Sequence, residues 1–257
     1  MHPPPYYETD RAIAEYLLFH YGRVEEVLPY DFGPHHSLEY PVRCVAECLE
    51  PEALAKSARA LDLGCAVGRS TFELARHCQH VLGIDYSSRF IAVAQHLRDQ
   101  GVLTYAYPVE GDLMQPASAV VPGDIDRSRV AFEHGDAQSL RPDLGTFDVV
   151  LMANLIDRLR EPLRLLERLP ALVQPGGQLI ITSPYTWLEE YTPKSCWLGG
   201  FERDGHAATT LQALERALEP AFELVATRNL PFLIREHARK FQWSVAEGSV
   251  WRRSGKG

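Results

Sequence analysis

Residues 60–71, ALDLGCAVGRST, run from a short apolar stretch through an acidic residue and a glycine-containing turn into a segment of helical character. A turn of this kind between a strand and a helix commonly binds a ligand, and a pyrophosphate is one familiar case. A dinucleotide-binding turn has glycine at its first, third and sixth positions. Those positions are Gly64, Ala66 and Arg69 here, with the second glycine displaced to Gly68. The sequence also lacks the Gly-Lys-Ser/Thr end of a P-loop, so neither phosphate-binding pattern is matched.

The acid in this segment, Asp62, stands two residues before the first glycine. A carboxylate at the end of the predicted strand would repel a phosphate and attract an ammonium or sulfonium group. S-adenosylmethionine carries both cations and no phosphate, so the pattern D-x-G-x-x-x-G favours it as the cofactor. We expect Gly64, Cys65 and Gly68 to contact it at the turn. The structural alternative is that Asp62 only caps the turn that follows.

Three later segments agree with this assignment. Asp85 and Tyr86 follow the next predicted strand, where a carboxylate can accept both ribose hydroxyls, although Asp85 could instead cap the following helix. Asp136 and Ala137 follow another strand, where an acid could accept from the adenine amino group. Asn154 ends a further strand, beside the expected position of the methyl group. All of these positions fall at the carboxyl ends of predicted parallel strands, which is where open α/β sheets bind ligands.

Apolar strands alternate with helical segments through the middle of the chain, which predicts an α/β fold whose mostly parallel sheet has helices on both faces. The predicted strands are RALDL, HVLGID, RVAFEHGD, FDVVLMAN and GGQLIITS, and the predicted helices cover 69–78, 88–100 and 160–173. Two helices over 8–21 and about 41–55 precede them, and a helix near 208–218 and two strands follow.

We predict a single domain over 1–257. Residues 1–55 form an N-terminal helical cover, 56–183 the cofactor-binding core, 184–207 an aromatic lid, and 208–257 a C-terminal helix and strand hairpin. Residues 103–129 interrupt the alternation and are interpreted as an inserted strand or hairpin followed by a loop. The lid is long and aromatic, and loops of that length in a compact domain are usually functional.

Composition excludes several classes of protein. The net charge of −8 and the pI near 5.7 argue against sequence-independent binding to nucleic acid, which requires a cationic face. No apolar run approaches the roughly 18 residues that span a bilayer, and MHPPPYYETD lacks the features of a signal peptide. The five cysteines form no CxxC pair, and His35–His36 lacks further ligands at metal spacing. We therefore expect a cytoplasmic protein with reduced thiols, no bound metal and no membrane partner.

The motifs resemble those of the class I, Rossmann-like S-adenosylmethionine-dependent methyltransferases over roughly residues 55–183. The flanking segments YYETDRAIAEYLLFHYG, PVRC, NLIDRL, SPYTWLEEYTP, WLGG and PFLIREHARKFQWS are similar to the methyltransferases of ovothiol biosynthesis. That resemblance implies a seven-stranded sheet and methylation of 5-thiohistidine (4-mercaptohistidine) on the ring nitrogen nearest the side chain, with S-adenosylhomocysteine as co-product. Members of the family also occur fused to a sulfoxide synthase, which implies a possible transient association with such a partner.

A zwitterionic, heteroaromatic acceptor needs a cation, an anion and a flat apolar slot. We expect Arg235 to pair with its carboxylate and Glu236 with its ammonium, unless both belong to a solvated turn. Arg43 is a candidate for the carboxylate of the cofactor. The ring would be enclosed by aromatic side chains, which could alternatively only anchor the lid. These side chains are Tyr6, Tyr7, Tyr185, Trp187 and Trp197.

The expected reaction is a direct displacement that depends mainly on alignment. Asn154, Asp157 and Glu189 are candidate catalytic residues, with Asp157, Glu189 and Glu236 as possible bases or orienting groups. Three rival hypotheses stay open at this point. The acceptor could be another small molecule, the chain could be a non-catalytic cofactor-binding partner of a sulfoxide synthase, or it could be an oxidoreductase.

Overall fold

The computed structural model describes residues 5–255, and its regular elements follow the predicted alternation. The helices are α1 (Asp10–Tyr21), α2 (Val24–Val27), α3 (Tyr40–Ala46), α4 (Arg69–Leu74), α5 (Ser88–Gln100), α6 (Pro162–Leu172) and α7 (Thr210–Leu218). The strands are β1 (Arg59–Leu63), β2 (His80–Asp85), β3 (Val102–Glu110), β4 (Leu113–Val120), β5 (Val130–His134), β6 (Phe147–Ala153), β7 (Val173–Ser183), β8 (Phe201–Arg203), β9 (His206–Ala208), β10 (Phe222–His237) and β11 (Lys240–Arg253).

Seven strands form the central sheet, in the order β10-β11-β7-β6-β1-β2-β5. The five strands from β7 to β5 are parallel, whereas β11 is antiparallel both to β7 and to β10. Strand β10 therefore runs parallel to the core strands. The prediction of a mostly parallel seven-stranded sheet with a Rossmann-like fold is confirmed.

The central strand β1 shows why the sheet is covered on both faces. Its residues alternate between two hydrophobic clusters, with Ala60 in one and Leu61 and Leu63 in the other, and all three are fully buried. Asp62 lies on the same face as Ala60 because side chains alternate along a strand. The acid therefore points toward α4, the helix that follows the glycine turn.

Local signals explain why α5 begins and ends where the sequence predicts. The side chain of Ser87 accepts a hydrogen bond from the backbone of Phe90 at the N-terminus. Gly101 adopts a left-handed conformation with φ of 78° at the C-terminus.

The prediction of one helix over 41–55 is wrong in its length. Helix α3 ends at Ala46, and a 3-10 turn follows at Pro51–Ala53. The side chain of Gln178 donates to the carbonyl of Glu50 and accepts from its amide, both at 2.9 Å, which holds the backbone outside a helix. Proline at 51 also disfavours the helical conformation for the residue before it.

The predicted insertion over 103–129 contains an antiparallel hairpin, β3–β4, and a following loop. The hairpin packs against α1 and β10 at the outer side of the N-terminal cover. A small cluster there includes Leu18 of α1, Tyr107 of β3 and Leu233 of β10. The insertion thus supports the cover from outside. Among the described residues, no helix has both the length and the apolar character needed to cross a bilayer.

The structure favours the alternative in which the lid tryptophans anchor the lid. Trp187 is buried and donates to Thr210 Oγ1 at 3.0 Å, and Trp197 donates to the carbonyl of Thr192 at 2.8 Å. The two rings stack with centroids 6.4 Å apart. Trp187 therefore joins the lid to α7, and the expectation that Trp187 and Trp197 enclose an acceptor ring stays a prediction.

Close packing at Gly199 yields a testable prediction for the lid. A Cβ at this position would lie 2.2 Å from the amide nitrogen of Thr210 and 2.4 Å from the carbonyl carbon of Thr209. We expect Gly199→Ala to lower the free energy of unfolding by about 1–3 kcal/mol, because backbone must move to make room. Urea unfolding measures the change. Gly123→Ala is the matched control, since a Cβ there meets no atom within 4 Å. Equal unfolding midpoints for the two variants would contradict the prediction.

Candidate active site

The parallel strands bring most of the predicted cofactor residues to one edge of the sheet. In the register of the sheet, Leu63 of β1 lies beside Ile84 of β2 and Met152 of β6, and Asp85 lies beside His134 of β5. The loops after these strands therefore share one edge. These loops carry Gly64, Cys65 and Gly68, then Tyr86, then Asp136 and Ala137, and finally Asn154.

The glycine turn has an unusual backbone. Gly64, Ala66 and Gly68 have positive φ values of 74°, 47° and 88°. Positive φ is uncommon for alanine, and such strain concentrates at functional sites. Gly68 also lacks room for a side chain, because a Cβ would lie 2.5 Å from Phe132 Cζ. The amide of Ala66 donates to Asp85 Oδ2 at 2.9 Å, which ties the turn to the end of β2.

Asp62 is a buried carboxylate beneath this turn. Its side chain is 1% exposed and accepts a hydrogen bond from Thr71 Oγ1 of α4 at 2.7 Å. Burial raises the pKa of Asp62 to about 7, and the nearby charge of Asp85 acts in the same direction. A carboxylate in this setting is stabilised in its charged form by a bound cation, so the site fits a ligand with an ammonium or sulfonium group.

The next two loops place a second acid and an aromatic ring beside the turn. Asp85 accepts from the amides of Ala66 and Ser87, and burial raises the pKa of its carboxyl group. The carbonyl of Tyr86 lies 2.9 Å from His134 Nε2. Asp136 accepts from the amide of Gln138 at 2.8 Å, so it caps a short 3-10 turn in the structure.

Asn154 is held by a tyrosine that the sequence did not single out. Asn154 has a positive φ of 52°, and its backbone N–H donates to the backbone carbonyl of Thr182 at 2.8 Å. The buried Tyr40 hydroxyl donates to Asn154 Oδ1 at 2.7 Å and lies 2.7 Å from Thr182 Oγ1. Tyr40 begins α3, so the cover positions a side chain at the end of β6. Only the fold brings these distant residues together.

The N-terminal cover meets both α5 and the lid at Tyr7. Ser87 Oγ donates to the carbonyl of Tyr7 at 3.2 Å, and the amide of Ser88 donates to Glu8 Oε1 at 3.1 Å. The Tyr7 ring lies 6.0 Å from that of Tyr16 and 6.4 Å from that of Tyr191 in the lid. Tyr7 therefore lies between α5 and the lid, and its expected contact with the acceptor stays a prediction.

Asp157 and Arg158 form an ion pair under the lid. Asp157 is fully buried, and its Oδ2 accepts from the amide of Thr186 at 2.9 Å and from Arg158 Nη1 at 3.0 Å. Among the residues that the structure describes, Asp157 Oδ1 is buried without a hydrogen-bond partner. Burial raises the pKa of this carboxyl group. The Arg158 guanidinium lies 4.9 Å from the centre of the Tyr191 ring.

Two predicted cationic residues are already engaged by protein groups. Arg43 pairs with Glu47 at 2.6 Å and donates to the carbonyl of Pro231 at 2.8 Å. Arg235 is buried, donates to the carbonyl of Glu26 and lies 5.0 Å from the centre of the Tyr107 ring. The structure places Arg235 at the junction of the cover and the inserted hairpin rather than beside Asp157, and its expected role in carboxylate binding stays a prediction.

Four further predicted residues lie at the rim or in the lid. Glu236 pairs with Lys240 at 2.8 Å, which lowers the pKa of the Glu236 carboxyl group. Tyr6 is 37% exposed, and burial of part of its ring and the nearby charge of Glu15 of α1 raise the pKa of its hydroxyl group. Tyr185 has a positive φ of 53°, and its hydroxyl group donates to Glu247 Oε2 at 2.8 Å. Glu189 is exposed on the lid. Within residues 5–255, no cluster of three or more His, Cys, Asp or Glu side chains could hold a metal ion.

Comparisons with known proteins agree with this architecture. Residues 61–181 match a family described as "Methyltransferase domain". The chain is 26% identical over 143 residues to the ubiquinone biosynthesis O-methyltransferase of Coxiella burnetii. That alignment covers 56% of this chain and 50% of the relative, so the chain spans about half the length of the curated relatives it matches.

Solved structures show the same fold at low sequence identity. An S-adenosylmethionine-dependent methyltransferase from Methanosarcina mazei superposes with a TM-score of 0.54 at 18% identity, over 80% of this chain and 99% of the other. The [4+2]-cyclase SpnF superposes with a TM-score of 0.55 at 17% identity, over 98% of both chains. The family match covers residues 61–181, which hold the glycine turn and the acids of β1 and β2, so this part of the chain is similar to a methyltransferase domain.

Proposed function

We propose that this chain transfers a methyl group from S-adenosylmethionine to the side-chain-proximal ring nitrogen of 5-thiohistidine. The observation that carries the proposal is where the segments resembling ovothiol methyltransferases fall. YYETD contributes Tyr7, NLIDRL contributes Asn154, Asp157 and Arg158, and SPYTWLEEYTP contributes Tyr191. Tyr7 lies beside Tyr191, Tyr191 beside Arg158, and Arg158 pairs with Asp157, while Asn154 follows the end of β6 a few residues before this pair.

The residues of the turn suit the cofactor. When bound, the cofactor supplies a methyl group carried on a positively charged sulfur. Asp62 presents a buried carboxylate toward the cationic part of the molecule, and Asp85 lies one strand away for the ribose hydroxyls. Backbone strain at Ala66 and the lack of room at Gly68 keep the turn in one shape. These residues therefore act by binding and orientation, which is the main requirement for a direct displacement.

On the acceptor side, Asn154 would orient the ring of the acceptor, and Asp157 would accept the proton that the ring loses. Tyr40 fixes the Asn154 carbonyl oxygen, so the amide group of Asn154 is left to donate toward the site. Asp157 Oδ1 has no partner among the described residues, and its raised pKa makes it a better proton acceptor than an exposed carboxylate. The rings of Tyr7, Tyr16 and Tyr191 lie beside one another where the cover meets the lid, and there they would exclude water from a bound acceptor.

A second candidate function comes from the curated relatives, whose names describe O-methyltransferases of ubiquinone biosynthesis. An enzyme of this kind would methylate a phenolic oxygen on an apolar acceptor. The ion pair of Asp157 and Arg158 favours a small polar acceptor instead. An apolar acceptor would exclude water from the pair without offering hydrogen bonds to its remaining polar atoms. Association with a sulfoxide synthase stays a separate prediction that a co-purification experiment can test.

An acceptor assay tests the proposal directly. We expect the purified protein with S-adenosylmethionine to methylate 5-thiohistidine, and NMR of the product to place the methyl group on the side-chain-proximal nitrogen. Histidine and a demethylated quinol serve as comparison acceptors. Turnover of the quinol without turnover of 5-thiohistidine would favour the O-methyltransferase, and cofactor binding without any turnover would favour the non-catalytic alternative.

Asp62 should make cofactor binding depend on pH. Because a bound cation favours the ionised carboxylate, affinity should rise with pH through about 7 and then level off, with release of a proton near pH 6–7. Calorimetry in two buffers of different ionisation enthalpy measures that proton. Asp62→Asn should lower the affinity for the cofactor by about 100-fold and remove the contribution of Asp62 to its pH dependence. The affinity–pH curve of this variant reports the titration of the cofactor itself, and subtracting it from the wild-type curve leaves the contribution of Asp62. Asp143→Asn on the surface is the control. Unchanged affinity in the Asp62 variant would contradict the assignment.

Asp157 should control the pH profile of turnover. We expect kcat/KM for the wild type to rise with pH through a pKa above the ordinary carboxyl value of about 4, because Asp157 must be ionised to accept a proton. Asp157→Asn should lower kcat by about 100-fold or more and remove that limb of the profile. The exposed Asp204→Asn variant should behave as wild type. A profile of the same shape in Asp157→Asn would show that this carboxylate is not the base.

A further inference from the structure

Arg158 is anchored through only one of its three guanidinium nitrogens. Nη1 donates to the carbonyl of Asp157, to Asp157 Oδ2 and to the carbonyl of Thr186, each at 3.0 Å. Among residues 5–255, neither Nε nor Nη2 has a hydrogen-bond acceptor, and the side chain is 27% exposed. One edge of the guanidinium is therefore fixed, and the opposite edge keeps free N–H donors.

The guanidinium lies beside aromatic side chains of the cover and the lid. The Tyr191 ring lies under its plane, with 4.9 Å between the guanidinium carbon and the ring centre, and the Tyr7 ring lies 6.4 Å from that of Tyr191. The Tyr16 ring lies 6.0 Å from that of Tyr7. Burial raises the pKa of Tyr16 and of Tyr191, so both rings are neutral at physiological pH.

The charges around this guanidinium leave room for an anion. Asp157 is the one carboxylate bonded to Arg158 within the described residues, and Glu190 lies farther out beside Tyr191. Of the cations expected from the sequence, Arg43 pairs with Glu47 and donates to the carbonyl of Pro231, whereas Arg235 donates to the backbone carbonyl of Glu26 at the junction of the cover and the inserted hairpin. Arg158 therefore combines a positive charge, unused donors and a position beside the acceptor residues.

We propose that Arg158 binds the carboxylate of an amino-acid acceptor through Nε and Nη2, as a specificity-determining residue. This inference rests on the proposed function and deepens it, because it assigns the group that distinguishes an amino acid from its amine. A planar guanidinium matches a carboxylate with two parallel hydrogen bonds, and stacking over Tyr191 fixes the plane of the fork. Binding the carboxylate there would orient the ring of the same molecule toward Asn154.

The test compares 5-thiohistidine with its decarboxylated analogue, 5-thiohistamine. We expect the wild type to favour the amino acid by about 10- to 100-fold in kcat/KM, and Arg158→Met to bring this ratio close to one. Arg158→Lys keeps a positive charge beside Asp157 but loses the fork, so its ratio should fall between the two. Arg164→Met, at an arginine that is 61% exposed on α6, should keep the wild-type ratio.

The ratio separates carboxylate binding from a structural role, since misfolding would lower the rates of both acceptors together. Thermal unfolding and S-adenosylhomocysteine affinity confirm that each variant is folded. If Arg158→Met does not fold, Arg158→Lys supplies the comparison. A wild-type ratio near one, or a ratio that persists in the folded Arg158 variants, would overturn the proposal.

Failure of the proposed function would be recognised separately, as absence of turnover with 5-thiohistidine. Calorimetry on protein saturated with S-adenosylhomocysteine then tests Arg158 with histidine and histamine as probes. Tighter binding of histidine that is lost in Arg158→Lys would support a carboxylate site. Equal affinities for the two probes in the wild type would overturn it.

Discussion

The hydrogen bond from the backbone of Ala66 to the carboxylate of Asp85 holds the candidate site together. It links the turn after β1 to the end of β2, and it fixes the strained conformation that a non-glycine residue adopts in that turn. Asp62 lies directly beneath the same turn and is stabilised by Thr71 of the next helix. Asp62 is buried and Asp85 is partly buried, burial raises the pKa of both carboxyl groups, and a cation beside Asp62 would favour its ionised form.

The fold was predictable from sequence wherever local signals decided the structure. Helix α5 begins and ends as predicted because Ser87 and Gly101 are capping residues whose effect is local. The end of α3 was not predictable, because Gln178, far along the chain, binds the backbone of Glu50. The same limit applies to the lid, where Thr210 and Thr192 decide the positions of the two tryptophans.

The sequence likewise predicted only part of the candidate site. The cofactor positions follow strands whose parallel direction the alternation of the sequence predicts, so their arrangement at one edge was expected. The acceptor side is built from the cover, the loop after β6 and the lid, which meet only in the tertiary structure. Tyr40, Tyr16, Tyr191 and Arg158 were therefore missed, although NLIDRL and SPYTWLEEYTP contain two of them.

The antiparallel direction of β11 has a practical consequence for recombinant protein. Because β11 runs opposite to β7, the chain leaves the sheet near Ser254 at the edge far from the glycine turn. The other terminus differs, since Glu8 binds the first amide of α5 and Tyr7 touches the lid. A purification tag or fluorophore is therefore best attached after the last strand, away from the glycine turn and from the contacts of Tyr7 and Glu8.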